Sequence, residues 1–198
     1  AVGRVDIQAI EDDRAVLPID QFRAERLSMW RPTGTVGDVV FDADVWESLA
    51  DPDSRIVARL AVGMGASPSR EAATVCIAGR RQDGRLHVEW YETQEGVTWL
   101  PPWLAARLNR DIRAVVLDQN SPLVELDWRS AGVRPTLIGH RDVAAAAGIL
   151  VDGVADEAVV HRGQVELSKG VLGAKRRPML GGQSFGWDRK APGSSALI

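Results

Sequence analysis

The stretch Ile112-Arg113-Ala114-Val115-Val116-Leu117-Asp118 decides how the chain is read. It is a short, apolar, β-branched run, the pattern of a strand in a sheet covered on both faces. It closes on a carboxylate, and Gln119-Asn120-Ser121-Pro122 then stops the strand and opens a loop. In open α/β sheets ligands and chemistry gather at the carboxyl ends of strands, so Asp118 stands where a catalytic acid would. The same aspartate could instead cap a following helix, since Asp and Asn favour helix starts.

Around that strand, 198 residues leave room for one α/β domain with an appendage, or at most two small domains. Hydrophobic residues make up 45%, enough for a core, and no window approaches a membrane span. No charged-then-apolar leader occurs, so nothing argues for secretion. The single cysteine, Cys76, lies in an apolar run and reads as core in a reducing compartment. A net charge of −3 excludes a chain that is basic throughout. Any DNA contact would need a local patch, and Lys175-Arg176-Arg177 with Arg189-Lys190 offers one. A solvated loop is the plainer reading of those charges.

Upstream of residue 56 the signals are helical and short. Pro18-Ile19-Asp20 precedes a helix through Trp30, and Pro32 to Gly37 is a linker by composition. Asp44 to Leu49 is a second helix, with Trp46 as a packing anchor. Three strands follow: Ile56 to Met64, Ala72 to Ala78, and Arg85 to Tyr91, with Asp83-Gly84 suited to a tight hairpin. The third alternates, with Leu86, Val88 and Trp90 on one side and His87 and Glu89 on the other. That makes His87 a solvent-face histidine. Helices are expected over Pro101–Arg110 and Pro122–Ala131, a strand over Arg134–Ile138, and a helix capped by Asp142. His140, just before that cap, reads as a surface residue. His161-Arg162 could touch a phosphate, but packing on a neighbour is preferred. A helix is expected from Val165 to Arg177, and another begins at Ala196. Three antiparallel strands followed by parallel βαβ units make a mixed sheet with helices on both faces, the order of the ribonuclease H-like fold.

No zinc-spaced histidine pair or phosphate-cradling loop is present. Several stretches do resemble one family in order and spacing: Trp46-Glu47-Ser48-Leu49-Ala50-Asp51-Pro52, Leu60 to Gly84 with its Ser67-Pro68 turn, and Val115 to Asp118. His161-Arg162-Gly163-Gln164 and Lys175 through Lys190 continue the pattern. The family is the C-terminal nuclease domain of the large terminase subunit of tailed bacteriophages. The resemblance implies a linker segment at 1–38 from a preceding ATPase part, and a ribonuclease H-like nuclease domain at 39–198. It also implies cutting of concatemeric double-stranded DNA with two Mg²⁺ or Mn²⁺ ions. The implied partners are DNA, the ATPase half of the same terminase, the small terminase subunit and the portal. It further implies no membrane contact, a monomeric isolated domain, and work in the host bacterial cytoplasm.

Hard cations need carboxylate oxygens, so the resemblance implies clustered acids. Asp118 matches the second acid of the set. The first should end the first strand, two residues before the Ser-Pro turn, where Gly65 stands. The third should follow the Trp187-Asp188-Arg189-Lys190 stretch, where Ser194 and Ser195 stand. Asp188 is the candidate surrogate. The resemblance places DNA contacts at Lys175, Arg176, Arg177, Arg189 and Lys190, and Trp187 is the tryptophan to test. Engineered substitution, decay of a prophage copy, or residues left out around the Gly193-Ser194-Ser195 junction would each account for the missing acids. A catalytically silent module that binds DNA or the portal is the alternative function.

Overall fold

Three successive strands open the sheet: β1 (Ala58–Ala66), buried at alternate residues from Val62 onward, β2 (Ala72–Arg80) and β3 (Leu86–Glu95). The computed structural model describes residues 39–108, 111–182 and 184–188, all within a unit spanning 39–198. The strands pair antiparallel in sequence order, and Gly84 takes a φ of 85° in the tight turn before β3. Helix α1 (Ala43–Ser48) precedes them, started by the Asp42 carboxylate, which accepts from the N–H groups of Asp44 and Val45. Helix α2 (Leu100–Ala105) carries prolines in its first turn, where their missing N–H groups are not needed. It leads to β4 (Ile112–Asp118), parallel to β1. β5 (Thr136–Ile138) adds outside β4, helix α3 (His140–Ala155) crosses over, and β6 (Val159–His161) pairs with β3 at the far edge. The resulting order is β5-β4-β1-β2-β3-β6.

Alternation along the strands sends apolar side chains to two separate cores. Val62, Met64, Val75, Val115 and Leu117 meet Leu100 and Leu104 of α2, with Leu123 and Trp128, on one face. On the other, Phe41, Trp46 and Val154 meet Leu167 and Val171 of helix α4 (Val165–Leu172), with Leu86, Val88 and Trp90 packed against them. Helical elements cover both faces, as expected. A second, two-stranded sheet of β7 (Arg176–Met179) and β8 (Ser184–Trp187) follows α4.

Four expectations need correction. Pro122–Ala131 is not a helix: a 3-10 turn over Pro122–Glu125 is followed by bends. The Trp128 indole N–H donates to the Leu123 carbonyl at 2.8 Å, and Asp127 accepts from the Ser130 N–H. Side chains thus take backbone groups that a longer helix would use. Helix α4 stops at Leu172, so Lys175-Arg176-Arg177 enters a strand, and Pro178 could not have continued a helix. The N-cap of α3 is Gly139; Asp142 lies a turn inside and reaches back to accept the Gly139 N–H at 3.3 Å. His87 is fully buried rather than on a solvent face. The helix expected over 18–30 and the one from Ala196 lie outside the described residues.

Candidate active site

The carboxyl end of β4 is built by short polar bonds. Asp118 Oδ1 accepts from the Asn120 backbone N–H at 2.9 Å and from Asn120 Nδ2 at 3.0 Å. The Asp118 carbonyl accepts from the Ser121 N–H at 2.8 Å. The cap of the following 3-10 turn is Ser121, whose Oγ accepts from the Leu123 N–H. Asp118 therefore orders the turn but does not cap the helical element, and it is half-buried at the strand end.

Strand pairing decides what stands beside it. β1 and β4 run parallel with Val62 opposite Val115 and Gly63 opposite Val116. Carried on by two residues, that register sets Gly65 level with Asp118. Val62, Met64, Val115 and Leu117 face the first core, so Gly63, Gly65, Val116 and Asp118 share the other face. On the next strand Thr74 is opposite Gly65, 2% exposed, with its Oγ1 2.8 Å from Thr93 Oγ1. Cys76 is opposite Gly63, and burial pushes its thiol up to about 12, which disfavours the reactive thiolate. A side-chain carbon added at Gly63 would meet nothing within 4 Å. Thus Asp118 is the one carboxylate that these strand-end pairs place on this face.

The other candidate acid, Asp188, follows β8 in the second sheet, where its N–H donates to the Lys175 carbonyl at 2.8 Å. Among the described residues, no group of three or more His, Cys, Asp or Glu side chains is placed to hold a metal ion. Arg176 and Arg177 are exposed, and strand alternation points them to opposite sides of the ribbon. The Arg176 guanidinium lies 4.6 Å from the Phe185 ring centroid. Trp187 is half-buried: its indole packs against Phe41 and Phe185, at 5.8 and 5.7 Å, within the second core. Arg189, Lys190, Ser194 and Ser195 lie outside the described residues.

Sequence reasoning missed a buried polar line at the opposite end of the sheet. His87 Nδ1 is 2.7 Å from Ser54 Oγ, and His87 Nε2 is 3.1 Å from Glu89 Oε2. Arg81 donates to Ser54 Oγ at 2.9 Å and to Asp51 Oδ2 at 2.6 Å, holding the Asp51 carboxyl below the usual range. The Glu89 carboxylate can only accept, so Nε2 carries a proton toward it, and in the neutral ring Nδ1 then accepts from the Ser54 hydroxyl while the Ser54 oxygen accepts from Arg81. Serine, histidine and glutamate in line suggest a nucleophile, but Ser54 is 4% exposed and its oxygen is engaged on both sides. The line is a strut between the Asp51–Ser54 loop and β3. Only the alternation that set His87 and Glu89 on one face hinted at it.

His161 is packed, as preferred from the sequence. It stacks on Trp46, and its Nδ1 accepts from the Gly163 N–H at 3.0 Å. His140 is exposed at the start of α3, also as read.

No protein-family model matches the chain, and no curated protein matches it. Solved structures do. The large terminase of bacteriophage HK97 superposes with a TM-score of 0.65 at 13% identity, over 98% of this chain and 48% of that one. The large terminase nuclease from thermophilic phage G20c gives 0.53 at 14% identity, over 81% of this chain and 94% of that domain. The large terminase of thermophilic bacteriophage D6E gives 0.52 at 10% identity, over 87% and 45%. This chain therefore spans about half the length of the HK97 protein that it matches, at 48%. At these identities the likeness shows the fold, which is the ribonuclease H-like fold of terminase nucleases.

Proposed function

We propose that this chain is the nuclease domain of a phage DNA-packaging terminase and that its substrate is double-stranded DNA. One observation carries the reading: the chain shares the G20c nuclease fold over nearly all of that domain, and β4 of this sheet ends in Asp118 beside β1. The carboxyl end of such a strand is where chemistry gathers in this class of sheet. The exposed Arg176 and Arg177, with Lys175, suit phosphate contacts that position a duplex without reading its sequence. On this reading the ATPase half of the same terminase, the small terminase subunit and the portal are its partners. The host bacterial cytoplasm is its place of work.

The reaction of such a domain is hydrolysis of concatemeric DNA at the start and end of packaging, assisted by two Mg²⁺ or Mn²⁺ ions. Hard cations of that kind are held by clustered carboxylates. Here Asp118 is one, Asp188 is a candidate in a different sheet, and Gly65 has no side-chain oxygen. The donor set of the described residues does not fit two metal ions.

The test is plasmid nicking and duplex gel shift by the purified chain, in Mn²⁺, Mg²⁺ and EDTA, beside Asp118→Ala. Retention of duplex that weakens as salt rises supports the reading. Mn²⁺-dependent cutting abolished by Asp118→Ala would establish the nuclease outright. A chain that neither retains nor cuts duplex overturns it.

A further inference from the structure

We infer that a cleft at the start of β1, at the opposite end of the strands from Asp118, is a binding site for a nucleoside monophosphate. The cleft encloses about 900 Å³, within the range of small-ligand sites. The loop before β1 and the first residues of that strand form one wall, with Ile77 of β2 and Glu89 of β3 behind them. Asp111, just before β4, and Arg162, just after β6, complete the lining. The inference does not depend on the terminase reading.

Three arginines line the cleft: Arg55, Arg59 and Arg162. Arg59 has a φ of 57°, in the left-handed region that favours glycine. It lies where β1 holds one residue more than β2, between the Ala58–Arg80 and Ala61–Ala78 pairs. Such a bulge releases a residue from the ladder and re-aims its side chain. Successive residues of a regular strand face opposite ways, yet Arg59 and Leu60 both line the cleft. Arg55 and Arg59 are exposed, and no ion pair joins either to a described carboxylate. Arg162 donates Nε–H to the Pro52 carbonyl at 3.1 Å and a terminal N–H to Glu89 Oε1 at 3.3 Å, which leaves further N–H groups over. Guanidinium groups with donors to spare match the oxygens of a phosphate.

The rest of the lining decides what that phosphate is attached to. Ile56, Leu60 and Ile77 are half-buried and Val57 is 61% exposed, an apolar wall for a flat ring. Asp53 and Asp111 are exposed carboxylates, which accept from hydroxyl and amino groups and repel a row of phosphates. Glu89 is already taken up by His87 and Arg162. A single phosphate, donors on a sugar or base, and an aromatic ring are the parts of a nucleoside monophosphate. A duplex backbone offers the phosphate in rows and keeps its rings stacked inside.

The experiment titrates the full chain with AMP in EDTA, by calorimetry and ligand-observed NMR, beside adenosine and a short DNA duplex. AMP should bind saturably, and adenosine at least about tenfold more weakly, since it lacks the charged acceptor. Arg59→Gly removes the side chain where the backbone already favours glycine, and Arg55→Gln changes an exposed loop residue. Each should weaken AMP binding at least about fivefold with the thermal midpoint kept or raised. Replacing Lys175, Arg176 and Arg177 by glutamine should leave AMP affinity unchanged. No saturable binding of AMP by wild type would overturn the inference, as would equal affinity in a folded Arg55→Gln/Arg59→Gly variant. Displacement of AMP by the duplex would also overturn it, because the cleft would then serve backbone phosphates.

Discussion

The His161 imidazole lies flat on the Trp46 indole, with ring centroids 3.9 Å apart and planes within 4° of parallel. Its Nε2–H donates to the Trp46 carbonyl at 2.8 Å, while the Trp46 indole N–H donates to Ser168 Oγ at 2.9 Å. Burial lowers the His161 pKa from its ordinary 6.5, against the opposing pull of the Trp46 carbonyl, and nearby His87 lowers it further. The unfolded chain therefore takes a proton at this residue more readily than the folded chain does. The contribution is fully present above 6.5 and is lost as pH falls from there through the lowered folded value. Urea midpoints measured down that range should fall for wild type and fall less for His161→Gln. At neutral pH, Trp46→Ala should cost about 3–5 kcal/mol, because a fully buried ring leaves a cavity.

Ser54→Ala removes the hydroxyl proton that serves His87 Nδ1 and the oxygen that accepts from Arg81. Leaving that buried ring nitrogen unmatched should cost about 1–3 kcal/mol in chemical denaturation. A serine acting as a nucleophile would instead show a changed reaction with little change in stability, so the two roles separate cleanly.

Two glycines of the sheet should respond in opposite ways to alanine. A Cβ at Gly79 would run into Ile56 Cγ2 and lie 3.0 Å from the Ala58 carbonyl oxygen, so Gly79→Ala should destabilise by about 1–3 kcal/mol. At Gly63 there is open space and no left-handed backbone, so Gly63→Ala should be neutral or stabilise by up to about 1 kcal/mol. Thermal unfolding of both variants in parallel checks the pair.

Replacing Lys175, Arg176 and Arg177 by glutamine should weaken duplex retention uniformly across sequences. It should also flatten the dependence of log affinity on log salt by about two to three units, close to one for each phosphate no longer neutralised. Gel shifts over a salt series read the slope directly. An unchanged slope would remove the ribbon from the DNA interface.

The parts of this fold that local pattern dictates were legible in the sequence. β4 is an apolar run that must be covered on both faces, and β1 to β3 were legible as strands from their apolar runs and the Asp83-Gly84 turn. The failures arise where a distant or irregular partner takes over. Pro122–Ala131 has helical composition, yet Trp128 commits its indole N–H to Leu123 and ends the turn early. His87 has the pattern of a solvent-facing residue, and only Ser54, from a loop before β1, shows that this side is covered. At the candidate site the carboxylate could be read from the end of its strand. That Gly65 lies beside Asp118 required the pairing of two strands separated by the whole β2–β3 hairpin and α2.

The anchoring of Trp46 also sets a route for force. The Leu49 carbonyl accepts the His161 N–H at 3.3 Å, and the Asp51 N–H donates to the His161 carbonyl at 2.8 Å. With Trp46 held by Ser168 of α4, a pull on the chain at Val39 is taken up by β6 and α4 before it reaches β1. These bonds tie the segment that follows Val39 to the far edge of the sheet, across β2 and β3 from the β1–β4 pair whose strand end carries Asp118.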